Sequence, residues 1–227
     1  MEVSRRIFWR IGLHLFCGAL VGAALCSCSL YQSLFQSSIT PRPHANVQEP
    51  PPQAPPECEL PYCAVDLDFP LILITNPKIY VLKEERRLWL IQSNTLVRDF
   101  HIALGPNPKG DKYFRGDGRT PEGEYFVCRK NSSSQFYKSL GINYPNPRNA
   151  ESALSCGMIS YNDYCSIKHA NDVMRLPPSN TALGGQIFIH GGGCQKDWTL
   201  GCIAVQNSAI DELFSVVPVG TPVFIMP

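Results

Sequence analysis

Residues 190–202 read HGGGCQKDWTLGC and combine one histidine, two cysteines and four glycines. The β-rich run Gln186–Ile189 precedes them and predicts a strand that ends at His190. The glycines that follow allow positive φ and a close approach of the backbone to other groups. Eleven residues separate His190 from Cys202, which is enough for the loop to fold back and place the thiol beside the imidazole.

Three kinds of site are compatible with this stretch. Cys202 could act as a nucleophile whose proton passes to His190, with the Gly191 carbonyl fixing the imidazole tautomer. Backbone N–H groups near Gly201 could then stabilise a thiolate of low pKa and, later, an oxyanion. A disulfide between Cys194 and Cys202 fits the spacing about equally well. A structural zinc site would need four ligands in pairs such as Cys-x-x-Cys, which the sequence lacks, so we expect no metal and no cofactor.

The N-terminus predicts export from the cytoplasm. Three arginines lie within the first ten residues, and the apolar run 11–25 follows them, as in a secretory signal. This run is short for a membrane span. Residues 25–28 resemble a bacterial lipobox in which Cys28 would carry the lipid. We therefore expect residues 1–28 to be a signal peptide with a lipobox, and an uncleaved signal anchor remains the alternative.

A proline-rich segment separates this signal from the rest of the chain. Eight prolines occur in residues 41–61, and such a run favours an extended, solvated conformation without a core. We expect residues 29–66 to be a linker and residues 67–227 to form one domain. The domain would then be periplasmic and tethered to the membrane of the bacterial cell envelope.

Composition and periodicity predict a mainly β, β-sandwich-like domain. Lys and Arg total 20 against 19 for Asp and Glu, so nothing indicates a nucleic-acid partner. Ser208–Val217 has one apolar face and predicts a single C-terminal helix, with Ser208 and Asp211 at capping-box spacing. Residues 131–183 contain many turn formers and predict loop-rich insertions. The expected strands are Leu71–Ile74, Lys78–Leu82, Leu88–Gln92, Val97–Leu104, Tyr125–Arg129, Gln186–Ile189 and Val223–Met226.

The residues around Cys202 resemble a known family signature. A histidine before a glycine, Thr199-Leu200-Gly201-Cys202 and the asparagine at position 207 are similar to the signature of the L,D-transpeptidase (YkuD-domain) family, in its ErfK/YafK-like branch. The segments 104–127, 139–150 and 211–225 are similar as well, and the last resembles the family's closing helix and strand, so the likeness covers residues 71–227. Two features depart from the pattern: Ala204 stands where many members have arginine, and the loop from histidine to cysteine is shorter.

The resemblance implies a cell-envelope enzyme that acts on peptidoglycan stem peptides. Cys202 would attack the carbonyl of the L-centred third residue, release the D-residue and pass the acyl group to an amine, giving 3–3 cross-links or an attached protein. His190 would move the protons, and Gly191 and Gly201 would support the imidazole and the oxyanion. Water as the acceptor would make the same site an L,D-carboxypeptidase or amide hydrolase. A catalytically inactive, wall-binding lipoprotein is the alternative outside the enzymes.

Several further residues are candidates for binding substrate. The turn-rich segment 116–123 contains Arg119, which could bind a substrate carboxylate bidentately, although a turn scaffold alone is the simpler interpretation. Asn143 and Tyr144 are expected to line the cleft, and Thr199 belongs to the signature. Other residues have structural expectations: Asp197 and Trp198 would order the loop before the nucleophile, and the candidate disulfides are Cys156–Cys165 and Cys58–Cys63.

Overall fold

A curved nine-stranded mixed sheet organises residues 61–227, the part of the chain that the computed structural model describes. The predicted signal segment with Cys28, and most of the predicted linker, lie outside the described residues. Within residues 61–227, no helix is both long and apolar enough to cross a membrane. The strands are, in chain order, β1 (Ala64–Val65), β2 (Pro77–Leu82), β3 (Arg87–Gln92), β4 (Thr95–His101), β5 (Gly123–Ser134), β6 (Tyr137–Ile142), β7 (Phe188–His190), β8 (Ile203–Ala204) and β9 (Pro222–Met226).

The first half of the sheet is an antiparallel meander of β2, β3 and β4, with β9 parallel to β2. Alternate residues of these strands face the core, so that Ile79 and Val81 are fully buried. The turn between β3 and β4 consists of Ser93 and Asn94, both with positive φ (47° and 64°). Two such residues twist a hairpin in the direction that the strands require.

The long strand β5 carries the chain into the second half of the sheet. Its first residues pair with β9, and its later residues form a hairpin with β6. The pairing with β6 is irregular at two points, where β-bulges bend a strand. β7 follows β6 in antiparallel orientation, and β8 closes the edge parallel to β7.

Three helices occur in the described part of the chain: α1 (Pro147–Ser155), α2 (Tyr161–Asp172) and α3 (Asn207–Val216). The expectation of one helix and a loop-rich segment 131–183 is therefore wrong, because this segment contains β6, α1 and α2. Both missed helices are short and mostly polar, and α2 buries only Ile167 and Asn171. The missed signal is at their starts, since Asn146 and Ser160 both form capping boxes.

The C-terminal helix is confirmed, but its predicted cap is wrong. α3 begins after Gln206, whose side chain makes no capping hydrogen bond. Asp211 instead accepts a hydrogen bond of 2.6 Å from Lys138 on β6. The predicted strand at residues 71–74 is also wrong, because Leu71–Leu73 form a 3-10 helix in which Ile72 is 88% exposed.

The main core lies where α3 packs on the sheet. Ile210 and Leu213 of α3 are fully buried in one cluster with residues of β2, β3, β5, β6, β7 and β9. A smaller cluster joins α1 and α2, with Ala150 and Ile167 at its centre. The mainly β fold predicted from the sequence is confirmed, with three helices instead of one.

Candidate active site

A cavity of about 400 Å³ has both Cys202 and His190 in its wall. We refer to this cavity as the cleft. Most of the remaining wall comes from three loop segments, within residues 112–118, 184–187 and 198–202. These segments are distant in sequence, so the cleft exists only when the sheet has formed.

Two short parallel strands bring the thiol and the imidazole to this cleft. His190 is the last residue of β7, and Cys202 immediately precedes β8. His190 lies opposite Ala204 in the strand pair. Ala204 also exchanges backbone hydrogen bonds of 2.8 and 2.9 Å with Ala103. β8 is thus held on both sides, which fixes the position of the cysteine.

The His190 imidazole is buried and held in one orientation. Its Nδ1 lies 2.6 Å from the Gly191 carbonyl oxygen, so Nδ1 carries the proton and donates it there. Phe136 stacks on the ring at 4.6 Å, and Trp198 meets the ring edge-on at 5.5 Å. Burial lowers the pKa of His190 below its ordinary value, and the bond to Gly191 offsets this only in part. The resting imidazole is therefore neutral, with Nε2 as its basic nitrogen.

The surroundings of Cys202 favour a neutral thiol in the free protein. Its Sγ lies 3.5 Å from the Gln186 carbonyl oxygen and, within residues 61–227, makes no hydrogen bond to His190. Burial raises the pKa of Cys202, while a backbone hydrogen bond with Phe188 and the charge of Lys112 act in the opposite direction. The direction of this pKa shift is opposite to that expected for a preformed thiolate.

The structure also bears on the disulfides that the sequence left open. Cys194 and Cys202 are both free thiols, so the disulfide alternative for this stretch is wrong. Cys156 and Cys165 are free as well, and both are exposed at the surface. The pair Cys58–Cys63 involves a residue outside the described part of the chain and stays a prediction.

The turn before Cys202 needs a glycine at position 201. Gly201 has φ of +123°, and a Cβ there would lie 2.5 Å from the Arg119 carbonyl oxygen. Thr199 locks the same turn, because its Oγ1 donates to the Cys202 carbonyl at 2.7 Å and accepts from the Gly201 N–H at 3.2 Å. Thr199 lines the cleft, but its hydroxyl is engaged with the backbone of the turn.

Asn207, the first residue of α3, holds the glycine loop after β7. Its Oδ1 accepts a hydrogen bond of 2.9 Å from the Gly192 N–H. A Cβ at Gly191 would lie 2.6 Å from the same oxygen, so this position has no room for a side chain. The asparagine and the glycines of the signature therefore act together to place the carbonyl that orients His190.

Asp197 and Trp198 fix the other end of this loop. Asp197 Oδ1 accepts the Leu104 N–H at 2.8 Å, and its carboxylate pairs with Arg86. The Trp198 indole donates to the Gly193 carbonyl at 3.1 Å. Trp198 is 36% exposed and lines the cleft, so it is not the buried structural residue that the sequence suggested. A role in ordering the loop is in keeping with these contacts.

Two buried lysines hold the segment between β4 and β5, and Lys112 also lines the cleft. Lys112 Nζ lies 2.6 Å from Asp117, and Asp117 also accepts the backbone N–H groups of Tyr113 and Phe114. Lys83 uses its three donors on the carbonyls of residues 110 and 120 and on a carboxylate at position 122. Because a buried ammonium group must be fully paired, these contacts fix the segment between β4 and β5.

Arg119 does not lie in the cleft. Its guanidinium group donates to the Asp111 carbonyl at 3.2 Å and covers the Tyr113 ring at 5.7 Å. The cations in the cleft wall are Lys112 and Arg115 instead. Sequence reasoning missed both of them, since the turn-rich segment was considered only from position 116 onward.

Asn143 and Tyr144 do not line the cleft either. Asn143 is 3% exposed and bonds the Phe126 N–H and the side chain of Asn171. Tyr144 is completely buried, and its hydroxyl donates to the Leu183 carbonyl at 3.3 Å. The expectation for these residues is wrong, because both side chains are buried in the interior just beyond the end of β6. The aromatic residues that contact His190 are Phe136, in the hairpin turn before β6, and Trp198.

Comparison with known proteins gives the family. The profile of the YkuD family, described as the L,D-transpeptidase catalytic domain, matches residues 76–225. A search of curated proteins found no match.

Solved structures with a similar fold share little sequence with this chain. Bd1075 of Bdellovibrio bacteriovorus is 21% identical over 67% of this chain and 48% of that chain, with a TM-score of 0.44. An L,D-transpeptidase of Xylanimonas cellulosilytica is 17% identical over 67% and 61%, with a TM-score of 0.37. The helical cell shape determining protein Pgp2 of Campylobacter jejuni is 21% identical over 67% and 50%, with a TM-score of 0.43.

This chain therefore spans less than two thirds of each of these three structures. The family profile, in contrast, covers well over half of the chain and includes both His190 and Cys202. The protein belongs to the YkuD family of L,D-transpeptidase catalytic domains.

Proposed function

We propose that this protein is a peptidoglycan L,D-transpeptidase with Cys202 as its nucleophile and His190 as its general base. The observation that carries the proposal is that both side chains line one cleft while the Gly191 carbonyl holds Nδ1 of the imidazole. The other ring nitrogen is then the one that can take the thiol proton.

Acylation would proceed in two proton transfers. As the Cys202 sulfur attacks the carbonyl carbon of the L-centred third residue, its proton moves to Nε2 of His190. The resulting oxyanion would be held by the Cys202 backbone N–H, because the Gly201 N–H is already bonded to Thr199. The imidazolium then gives its proton to the departing amine of the D-residue, which leaves as the carbon–nitrogen bond breaks. A thioester on Cys202 remains.

The second half of the reaction would regenerate the free thiol. An amine of a neighbouring stem peptide loses a proton to His190 and attacks the thioester carbonyl. The new amide bond forms as the carbon–sulfur bond breaks, and the sulfur recovers its proton from the imidazolium. The product is a 3–3 cross-link, or an attached protein if that protein supplies the amine. If water attacks instead, the protein is an L,D-carboxypeptidase.

The electrostatics of the cleft support proton transfer during attack. Burial raises the pKa of Cys202 and lowers that of His190, so both groups rest in their neutral forms. A neutral pair of this kind creates charge only as the substrate is attacked, in a site from which water is partly excluded. Neither group needs a cofactor for this chemistry.

We further propose the cellular arrangement that the sequence suggests. Residues 1–28 would direct export, Cys28 would carry a lipid, and residues 29–66 would tether the catalytic domain, residues 67–227, to the membrane. The domain would then meet stem peptides in the periplasm. Metabolic labelling with a palmitate analogue, compared between the wild type and Cys28→Ser, tests the lipid directly.

The experiment that tests the enzymatic proposal is mass spectrometry of stem-peptide products. The purified protein is incubated with disaccharide tetrapeptides, and Cys202→Ala serves as the inactive variant. Cross-linked dimers with loss of the D-residue support the transpeptidase, and monomeric tripeptides alone would show a carboxypeptidase. An unchanged substrate with wild-type protein would leave the inactive wall-binding lipoprotein as the better description.

A further inference from the structure

Cationic side chains line the cleft, whereas carboxylates do not. Among the described residues that line it, Lys112 and Arg115 are the ones with permanently charged side chains, and neither Asp nor Glu contributes to the wall. A partly enclosed cavity with charge of one sign attracts ligands of the opposite sign. The cleft is therefore suited to an anionic group near the reacting bond.

Lys112 is not available to bind such an anion. Its side chain is buried, its Nζ lies 2.6 Å from Asp117, and it also donates to the Phe114 carbonyl at 3.1 Å. The ammonium charge is thus neutralised inside the wall, and its position depends on the loop that it holds together. Replacing it would disturb the fold of the loop before it disturbed a ligand.

Arg115 has the opposite character. It is exposed, and in the described part of the chain it forms no ion pair. Its backbone N–H donates to the Ala182 carbonyl at 2.8 Å, and its Nη2 donates to the Ser179 carbonyl. Its stem packs against Gly184, where an added Cβ would lie 3.2 Å from the Arg115 Cβ. Arg115 therefore lines the cleft with one guanidinium nitrogen anchored at Ser179, and most of its N–H donors remain free.

The neighbouring candidates do not offer this combination. Arg119 covers the Tyr113 ring outside the cleft. Ala204, beside His190 on β8, is apolar and fully buried. Since a guanidinium group can bind both oxygens of a carboxylate at once, Arg115 has the geometry as well as the charge for such a ligand.

We propose that Arg115 binds a carboxylate of the stem peptide and so determines the substrate specificity of the cleft. This inference rests on the proposed function and identifies the group that the site recognises. Two carboxylates of a tetrapeptide stem lie next to the bond that breaks, the C-terminal one of the departing D-residue and the side-chain one of a diamino acid at position three, and the proposal concerns these two. Both have the same chemistry, and the substrates below distinguish them.

The test measures kcat/KM on three tetrapeptides: the free acid, its C-terminal amide and its side-chain amide. Arg115→Gln is compared with the wild type, and Arg115→Lys tests whether charge without the bidentate geometry suffices. Arg129→Gln, an exposed arginine on β5 away from the cleft, is the matched control. Arg119→Gln tests the competing arginine.

We expect Arg115→Gln to lower kcat/KM about 10- to 100-fold on the free acid, mainly through KM. One of the two amides lacks the carboxylate that Arg115 binds, and on this amide Arg115→Gln should have almost the same kcat/KM as the wild type. The amide that behaves in this way identifies which carboxylate is bound. Arg115→Lys should fall between the wild type and Arg115→Gln, and Arg129→Gln should match the wild type. Equal losses on all three peptides would overturn the proposal, and so would a carboxylate-specific loss in Arg119→Gln.

Calorimetric binding to Cys202→Ala separates this proposal from the enzymatic one. If the wild type turns over none of the peptides but the free acid binds Cys202→Ala in an Arg115-dependent way, the enzymatic proposal fails and the carboxylate site stands. If the wild type turns over the peptides but Arg115→Gln has the same effect on the free acid and on both amides, only the carboxylate site is refuted. Absence of both turnover and binding refutes both.

Discussion

Cys128 and Cys202 are two thiols in regions of different character. Cys128 lies within β5, and its Sγ donates to the Gly141 carbonyl of β6 at 3.3 Å. Burial raises its pKa to about 11. Burial also raises the pKa of Cys202, but this thiol lines a cleft with a neutral histidine in the same wall.

The difference shows that burial alone does not make a cysteine reactive or inert. Burial favours the protonated thiol at both positions, and of the two only Cys202 shares a cleft with an imidazole. Cys202 would become a nucleophile when His190 removes its proton during attack. Reactivity here depends on the neighbours of the sulfur more than on its resting ionisation.

The largest expected effect tests the different roles of Cys128 and Cys202 by removing each sulfur in turn. We expect Cys202→Ala to lower kcat at least about 10⁴-fold, because no other nucleophile is available. Cys128→Ala should retain nearly full kcat and lose about 1 kcal/mol of unfolding free energy through lost packing. Product formation followed by mass spectrometry and urea unfolding give the two quantities. A Cys128→Ala enzyme as inactive as Cys202→Ala would contradict the contrast.

A second effect concerns one glycine near each cysteine: Gly201 precedes Cys202, and Gly123 begins β5, the strand that contains Cys128. Gly201 and Gly123 have nearly equal positive φ, +123° and +117°, but only a Cβ at Gly201 would clash, at 2.5 Å from a carbonyl oxygen. We expect Gly201→Ala to lower kcat about 10²-fold, since the turn before the nucleophile must shift. Gly123→Ala carries the φ strain without the clash and should lose stability while keeping most of the activity.

The two alanine variants are compared by stopped-flow or discontinuous assays, which give kcat, and by thermal unfolding, which gives their stability. If the two variants lose activity to the same extent, strain at positive φ is the whole cause and the close approach at Gly201 is unimportant.

The core of the site could be predicted from the sequence because its determinants are local. A strand, a glycine run and a cysteine separated from the histidine by eleven residues are sufficient to predict that β7 and the turn before β8 meet. The lengths of most strands were also predictable, since alternation of apolar residues is a direct consequence of a half-buried sheet.

The other residues of the cleft could not be predicted from local sequence. Phe136 and Arg115 reach it from segments far from Cys202, and their contribution follows from the bend of β5 and the order of the strands. Tyr144 was expected in the cleft although an aromatic residue beside a proline more often serves packing, and it is in fact completely buried. The direction of the Cys202 pKa shift could not be predicted, because desolvation depends on the whole wall of the cleft.

A third prediction uses pH to sharpen the comparison. His190 must be neutral to accept the thiol proton, and protonation at low pH removes this capacity. Because burial lowers its pKa, the acid limb of kcat/KM should lie below about pH 6.5, with a tenfold fall per unit beneath the pKa. Because the pKa of Cys202 is raised, the profile should then remain flat past about pH 8.5. A profile of kcat/KM between pH 4.5 and 9.5 measures both limbs.

Alkylation with iodoacetamide provides the control for that profile. The rate at Cys202 in the folded protein should still be rising above about pH 8.5, whereas a preformed thiolate would give a plateau near neutrality. Cys128 should remain unmodified until the protein is unfolded. An alkylation plateau at Cys202 below pH 7 would show that the resting site is an ion pair instead of a neutral pair.

The smallest effect separates two indole N–H groups. Trp198 donates to the Gly193 carbonyl at 3.1 Å, whereas the buried Nε1 of Trp89 in β3 has no partner within residues 61–227. Trp198→Phe keeps a ring beside His190 but loses the donor, so the glycine loop should loosen and kcat should fall about 2- to 10-fold. Trp89→Phe removes a donor that has no protein partner, so kcat should stay unchanged, and a fall in the melting temperature should reflect the packing lost with the smaller ring. Equal losses of kcat in the two variants would mean that ring size, and not the bond to Gly193, is what the loop responds to.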